Sequence, residues 1–333
     1  MNLNSAGWPA QLLRLVAKLR SDGLNSTTPV TEINGGNISA TNADIALVVK
    51  GAGAILANVP DGTVVGGSKR GQFATDLQKS RTISTRVASG TNSGILSGSN
   101  NGATSSGSAI VGGDNNTATS SHAFVGGGLF NTASGIQSAV LGGNSNLAAA
   151  TNSVVAGGSS NVADGTNSCI LGGRLGSTRS INGFHVFPAC NAPIASASGI
   201  SQCGLLVIAR ETTSASATVL ASNSAVAGAD NQVALPSNSA YSFSGEVIAG
   251  VTGGGDTARW TINGAIKRGA AAASTALVGT PTVTMTHNNA GAAAWTVAVT
   301  ADTTNGALAV TVTGAAATTI RWVCRINTTE MTY

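Results

Sequence analysis

Small and apolar residues between positions 86 and 180 recur at a fixed spacing of fifteen residues. A branched aliphatic residue holds one place in six successive periods: Ile95, Ile110, Val125, Val140, Val155 and Ile170. Glycine and asparagine keep two further places: Gly98, Gly113, Gly128, Gly143, Gly158 and Gly173, then Asn101, Asn116, Asn131, Asn146 and Asn161. Self-similarity at a short fixed period is typical of solenoid proteins. The pattern therefore predicts a β-solenoid in which one coil is one period.

The residues of a single period predict how its chain turns. A triplet such as Ala109–Val111 favours a short strand, because its β-branched residues suit the pleated backbone. The glycine pair that follows permits a sharp corner, and asparagine also tolerates left-handed backbone and bonds its own backbone in turns. The N-x-A segment that begins at Asn116 then predicts the return strand.

Alternation along the short strands predicts an assembly of several copies. The first and third residues of a triplet face one way and the middle residue faces the other. We expect Ala109 and Val111 to fill the coil, so that the middle column lies outside it as an apolar ridge. A ridge of six stacked Ile and Val side chains predicts a homotrimer, with that column as the seam between copies.

The two segments before the repeat have different patterns. Residues 1–23 contain an apolar stripe at helical spacing, formed by Leu12, Leu15, Val16 and Leu19. Pro9 suits the first position of a helix, so we expect a short amphipathic helix over 9–20 that docks on a partner or on a sister copy. Residues 24–85 predict a β-rich collar, with apolar pieces at 43–50 and 54–59.

The repeat decays in a neck, residues 181–200. His185 lies fifteen residues after Ile170, on the branched aliphatic column. We expect a packed histidine there and no cofactor. The alternatives are an ion held by three His185 side chains at a trimer axis, or a ligand pair of His185 and Cys190.

Longer alternating strands fill the last region, residues 201–333. The eight predicted strands are 203–210, 215–221, 239–250, 257–267, 281–287, 294–301, 306–313 and 318–327. Asn305-Gly306 is a hairpin turn signal. Such spacing predicts an all-β sandwich resembling a jelly roll. Trp260, Trp295 and Trp322 keep phase with aliphatic neighbours, which favours a core position over a sugar-stacking platform.

Composition and charge narrow the class of protein. The 333 residues include 44 glycines, about twice ordinary usage, and only 9% are charged. The net charge of +4 is spread along the chain, and no apolar run reaches the length of a membrane span, so we expect neither nucleic-acid binding nor membrane insertion. Four cysteines without a CxxC motif predict free thiols and folding in a reducing cytoplasm.

Catalytic chemistry is not indicated by any motif. The three histidines, His122, His185 and His287, lie far apart in the sequence. A pair of carboxylates for glycoside cleavage could form across subunits from Glu211, Asp230, Glu246, Asp256 and Asp302, but no cluster favours it. We therefore expect a protein that is not an enzyme.

The coil signatures S-x-I/V-x-G-G and N-x-A-S/T are similar to the β-roll head of trimeric autotransporter adhesins. Three segments resemble tail-fibre or receptor-binding proteins of tailed bacteriophages: ADIALVVKGAGA at 43–54, VPDGTVVGGSKRGQFATDLQ at 59–78 and ADTTNGALAVTVTGAAATTIRWV at 301–323. The resemblance implies a homotrimeric fibre of a virion, made in the host cytoplasm. Its N-terminal part would dock on a tail or baseplate protein, and its C-terminal domain would face a host-surface glycan or protein.

Receptor contact is expected in exposed loops of the last region. Their composition points to two short segments, Asn288-Asn289 and the run Asp302, Thr303, Thr304 and Asn305. The alternatives to a tail fibre are a head fibre of the capsid, the passenger of a bacterial trimeric adhesin, and a tailspike depolymerase.

Overall fold

The computed structural model describes residues 51–333, which form one compact unit, and the backbone of two strands in the first fifty residues. These are β1 (Leu19–Asp22) and β2 (Val30–Ile33), paired antiparallel with Leu19 opposite Ile33. The predicted helix is therefore wrong at Leu19. An isolated helix of this length is only marginally stable, and pairing with β2 supplies backbone hydrogen-bond partners instead. Leu12, Leu15 and Val16, and the predicted apolar piece at 43–50, lie outside the described residues.

A β-solenoid begins at residue 55. Nine short strands stack in parallel along one side of it: β3 (Ile55–Leu56), β4 (Thr75–Asp76), β5 (Gly94–Ile95), β7 (Ala109–Ile110), β9 (Phe124–Val125), β11 (Ala139–Val140), β13 (Val154–Val155), β15 (Cys169–Ile170) and β16 (His185–Pro188). At the usual strand spacing the ladder is about 38 Å tall. It starts before the repeat that the sequence shows, because the first two coils are longer than fifteen residues.

The predicted N-x-A return strands form the opposite side of the solenoid. They are β6 (Gly102–Ala103), β8 (Thr117–Ala118), β10 (Thr132–Ala133), β12 (Leu147–Ala148) and β14 (Val162–Ala163), all parallel and in register. The β-solenoid of fifteen-residue coils is thus confirmed.

The branched aliphatic column lies inside the coil, which corrects the predicted seam. Its six members, Ile95, Ile110, Val125, Val140, Val155 and Ile170, are at most 1% exposed in the single chain. The alanines of the return strands are buried beside them, from Ala103 to Ala163. A small alanine opposite a branched side chain fills this narrow interior, so the column needs no second copy to cover it.

The second glycine of each pair forms the corner, as predicted. The members of the column from Gly98 to Gly173 have φ between +75° and +91°. A Cβ built on Gly143 would lie 2.2 Å from the carbonyl oxygen of Gly158 in the next coil. The first glycine of the same pair, Gly142, has nothing within 4 Å of such a Cβ. In this coil only the second position therefore requires glycine.

The asparagine column forms a ladder of hydrogen bonds rather than a left-handed corner. The Nδ2 of Asn146 donates to the carbonyl oxygens of Gly142 and Gly158, each at 3.0 Å. Its backbone N–H donates to Oδ1 of Asn131 at 3.0 Å. The left-handed residue is the one before each asparagine, for example Ser145 with φ +57°. Each buried amide thus ties its own coil to the two neighbouring coils.

The last coil is one residue longer, which moves His185 off the interior column. Ile170 pairs with Val186 and Cys169 pairs with His185. Val186 is therefore the buried residue that continues the column, and His185 is exposed on the outer face. The prediction that placed His185 on the column is wrong because the spacing there is sixteen residues.

The C-terminal region contains ten strands and two short 3-10 helices, at Ala272–Ser274 and Ala290–Ala292. The strands are β17 (Ser201–Thr212), β18 (Thr218–Val219), β19 (Val233–Ala234), β20 (Ser239–Val251), β21 (Thr257–Arg268), β22 (Ala276–Leu277), β23 (Thr282–Asn288), β24 (Thr296–Asp302), β25 (Ala307–Thr313) and β26 (Ile320–Thr332). Eight of them match the predicted strands, and the two-residue strands β19 and β22 were not predicted. The turn at Asn305-Gly306 joins β24 and β25, as expected.

Two sheets of this region pack face to face as a sandwich. The larger sheet has the order β17-β26-β20-β21, with β22 and β23 both paired to β21. The smaller sheet contains β18, β25, β19 and β24. Between them lie the three tryptophans, and the ring centroid of Trp322 is 5.6 Å from Trp260 and 5.7 Å from Trp295. Their burial confirms the predicted core position and leaves none of these three rings free to stack on a sugar.

The solenoid and the sandwich share one sheet and one core. β16 is parallel to β15 on one side and antiparallel to β17 on the other. The buried cluster likewise continues from Ile170 and Phe184 of the last coils to Leu206 and Trp322 of the sandwich. The two regions therefore belong to one compact unit, and the outer face of the sheet passes from one to the other.

Candidate functional site

One face of the continuous sheet carries exposed apolar side chains on both the solenoid and the sandwich. In four of the six repeat coils an exposed apolar residue follows the buried one, as Leu141 follows Val140, whereas Gly126 and Ala156 hold this place in the other two coils. The members of this outward stripe are 42% to 54% exposed: Leu96, Val111, Leu141, Leu171, Phe187, Val207, Ile248 and Val323. Next to Phe187 the row continues as Cys203 and Thr329, so Val207, Ile248 and Val323 form a separate cluster on the sandwich. Clustered exposed apolar side chains mark an interaction site. Sequence reasoning assigned the solenoid members of this stripe to the interior and so missed them as a surface.

Beside the stripe, ion pairs link neighbouring strands of the sandwich. The Glu246 carboxylate lies 2.6 Å from Arg259 Nη2 and 3.6 Å from Arg325 Nη2. On the same face Glu211 pairs with Arg321 at 2.9 Å. The side chains of these pairs are substantially exposed, so each pair adds little to the stability of the fold. Together they form a polar rim beside the stripe.

The candidate carboxylates are not brought together within the chain. Glu211 and Glu246 each face arginine, and Asp230 accepts a hydrogen bond from Asn182 at 3.1 Å. Among the described residues, no three His, Cys, Asp or Glu side chains gather into a group that could hold a metal ion. The described part of the chain also has no helix long and apolar enough to cross a membrane.

The predicted receptor-contact residues fall in two places. Asn288 is the last residue of β23 and Asn289 follows it, beside the start of β21, and both line a cleft of about 330 Å³ together with Arg259 and His287. We call this the edge cleft. Asn305 lies beside Arg268, at the other end of β21. A strand of twelve residues separates the two places by roughly 35 Å.

The turn that carries Asp302 is held by that carboxylate. Asp302 Oδ1 accepts the backbone N–H groups of Thr304 and Asn305, each at 3.0 Å, and Oδ2 accepts the Asn305 side-chain amide at 2.7 Å. Burial opposes the charge, but these hydrogen bonds keep the pKa of Asp302 below its ordinary value. Thr303 and Thr304 are exposed at the tip of this turn.

Asn305 contributes to a second cleft, of about 390 Å³, where the solenoid meets the sandwich. We call it the junction cleft. Ser177 and Arg179 line it from the last coils, and Leu235 and Arg268 line it from the sandwich. Sequence reasoning missed these residues, because each is an isolated polar or apolar position that only the tertiary fold brings to the cleft.

A buried polar group lies beside the junction cleft. Arg179 forms an ion pair with Glu330, and the guanidinium lies over the ring of Tyr241, 5.3 Å from its centroid. Gln202 Nε2 donates to the same carboxylate at 2.8 Å. Burial, reinforced by the nearby Glu330, raises the pKa of Tyr241 well above its ordinary value. The ion pair with Glu330 neutralises the charge of Arg179. Arg268 is the other cationic side chain that lines this cleft.

His185 and Cys190 are both exposed. His185 stands next to Cys169 on the outer face of the sheet, in parallel register. The ion site proposed for three His185 side chains is not tested by a single chain and stays a prediction.

A solved structure similar to this chain is titled "Crystal structure of Acinetobacter baumannii phage AM24 tailspike protein". The two are 8% identical with a TM-score of 0.22, and the match covers 80% of this chain and 60% of the tailspike chain. This chain thus spans less than two thirds of that protein. At such values the likeness assigns neither a fold nor a function to this chain. Neither a known protein family nor a curated protein matches the chain.

The expectation that the protein is not an enzyme is corrected by this comparison. The similar structure is of a tailspike, which is the class named above for the depolymerase alternative. The absence of catalysis is therefore withdrawn, and no reaction or catalytic residue is assigned to the chain.

Proposed function

We propose that the chain is a virion-associated fibre subunit of a bacteriophage that attaches the particle to a host surface. The observation that carries the proposal is the outward stripe, whose solenoid members project from four of the six repeat coils and are followed by Phe187 in the last coil. A solenoid that exposes apolar side chains on one face is suited to assembly with identical solenoids. The coil signatures that resemble trimeric adhesin heads support closure by three copies.

The seam of this assembly is the outward stripe, not the interior column. Leu141 and Leu171 of the solenoid and Phe187 of the last coil are half exposed in the single chain. Burying a leucine side chain contributes about 1.5–3 kcal/mol, so several such contacts per chain stabilise a trimer. The edge cleft includes Ile248 of the stripe and therefore adjoins the seam, whereas no stripe residue lines the junction cleft, which is left as the surface for a host glycan or protein.

Thiol labelling tests this assignment of the seam. Cys203 lies on the outward face of β17, and we expect it to react about tenfold more slowly in the assembled protein than in a dissociated Leu141→Asp/Leu171→Asp variant. Cys324 is the internal reference, because burial raises its pKa to about 12 and keeps it unreactive in both. Equal Cys203 labelling in the two proteins would contradict a covered outward face.

Adsorption measurements test the attachment role. We expect the purified full chain, added in excess, to reduce adsorption of virions whose genome encodes it to their host at least about tenfold. Antibodies to residues 51–333 should label those intact virions in electron micrographs. Unchanged adsorption together with unlabelled particles would exclude a virion attachment role. Deleting the sandwich is not a suitable test, because it would expose the shared core at Phe184 and Val186.

A further inference from the structure

The junction cleft has the size and composition of a small-ligand site. Its volume of about 390 Å³ lies within the range of small-molecule pockets. One wall is apolar, formed by Ala234, Leu235 and Pro236, and Ser177, Asn305 and Thr332 add hydroxyl and amide groups. A sugar ring has the same two characters, with apolar C–H faces and hydroxyl edges.

The charged side chains that line the cleft are both arginines, Arg179 and Arg268. Arg179 is neutralised by the buried Glu330. Within residues 51–333 no carboxylate lies within 4.0 Å of Arg268. The cleft therefore keeps one uncompensated positive charge.

The guanidinium of Arg268 is held in place but only partly satisfied. Its Nη1 donates to the carbonyl oxygen of Leu235 at 2.5 Å, whereas its buried Nε has no hydrogen-bond partner. Gly306 lies directly over the group: a Cβ there would be 2.5 Å from Nη1 and 2.9 Å from Cζ. The turn held by Asp302 thus fixes a cation with unused donors at the cleft. The buried Nε is not reachable from the cleft, but Nη2 is not among the buried atoms and makes no hydrogen bond within residues 51–333, so it is the donor available to an anionic acceptor.

We infer that the junction cleft binds a carboxylate-bearing sugar unit of a host-surface polysaccharide, with Arg268 pairing the carboxylate. Arginine is suited to this role because its planar donors match a carboxylate. The sugar ring lies against Leu235 and Pro236, and the polar rim accepts its hydroxyl groups. This inference rests on the proposed attachment function and names the ligand class and the site.

Binding to the full chain tests the inference with four probes: D-glucuronic acid, N-acetylneuraminic acid, D-glucose and inorganic phosphate. At least one of the two carboxylated sugars should bind at least about tenfold more tightly than glucose and phosphate, in titration calorimetry or ligand-observed NMR. Arg268→Gln should weaken that binding at least about tenfold. Lys267→Gln is the matched control, because it removes the same charge from the exposed neighbour on β21 and should change binding less than twofold.

A second variant keeps the test valid if Arg268→Gln folds poorly. Ser198 is exposed and lines the cleft, so Ser198→Trp should fill it and abolish binding with Arg268 intact. The inference is overturned if neither carboxylated sugar binds, or if glucose or phosphate binds as tightly as the carboxylated sugars. It is also overturned if Ser198→Trp binds the carboxylated sugar normally. If the wild type blocks virion adsorption and folded Arg268→Gln blocks it equally, the cleft assignment fails and the attachment role stands. If the wild type does not block adsorption, the attachment role itself fails.

Discussion

Gly143→Ala is expected to lower the melting temperature of the protein by roughly 10 °C or more, while Gly142→Ala leaves it within about 2 °C. Gly143 has φ +91°, and its added Cβ would lie 2.2 Å from the carbonyl oxygen of Gly158. The backbone of the next coil must move to relieve that overlap, which opens the Asn146 bonds to both flanking glycines. Left-handed strain, overpacking and lost hydrogen bonds together cost about 3–6 kcal/mol.

Gly142 is the matched control for this substitution. It is the direct neighbour of Gly143, its φ is not in the left-handed region, and nothing lies within 4 Å of a built Cβ. Thermal melting followed by circular dichroism measures both variants. Equal losses at the two glycines, or none at Gly143, would contradict the corner geometry.

Val140→Asp and Leu141→Asp are expected to fail in different ways although the residues are neighbours. Val140 is fully buried inside the coil, where a carboxylate would have no partner, so the variant should not fold. A buried charge of this kind costs several kcal/mol, a large part of the stability of a domain. Leu141 is 52% exposed on the outward stripe, so Leu141→Asp should fold normally and lose self-association.

Circular dichroism and sedimentation velocity separate the two outcomes. The Leu141→Asp variant should keep the β-sheet spectrum of the wild type and sediment as a smaller species. Leu141→Met is the control, since it preserves the apolar contact and should sediment like the wild type. A Val140→Asp variant that folds but dissociates would indicate that the branched aliphatic column is the seam between copies. That result would contradict its burial inside the coil.

Local sequence signals predicted the fold well where one period or one strand contains the information. The columns at fifteen-residue spacing predicted the length of one coil, and the glycine pair predicted the position of its corner at Gly143. Alternation gave eight strands of the sandwich and the inward position of Trp322. Each of these features depends on residues close together in the chain, where backbone preference and periodicity act directly.

The orientation of the solenoid strands was not predictable from alternation alone. A triplet such as Ala139–Leu141 has two faces, and its own residues do not say which face is inside. The information lies in the return strand, where the small Ala148 is buried beside Val140 and leaves room for the branched side chain. The inserted residue in the last coil likewise moved His185 outward, a shift that only the register with Cys169 makes visible.

The clefts depend on contacts between distant parts of the chain. Arg179 meets Glu330 across 151 residues, and Arg268 meets Leu235 across 33. No local motif carries such pairs. The predicted contact residues Asn288 and Asn305 were found at separate clefts, because loop composition indicates exposure but not which loops adjoin.

The molar mass of the full chain in solution tests the central claim most directly, namely that further copies cover the outward stripe. Sedimentation equilibrium at micromolar concentration should give three times the chain mass of 32.5 kDa for the wild type. The Leu141→Asp/Leu171→Asp variant should give the mass of one chain with an unchanged circular dichroism spectrum. A wild-type protein that sediments as a single chain, with the stripe facing water, would contradict the account.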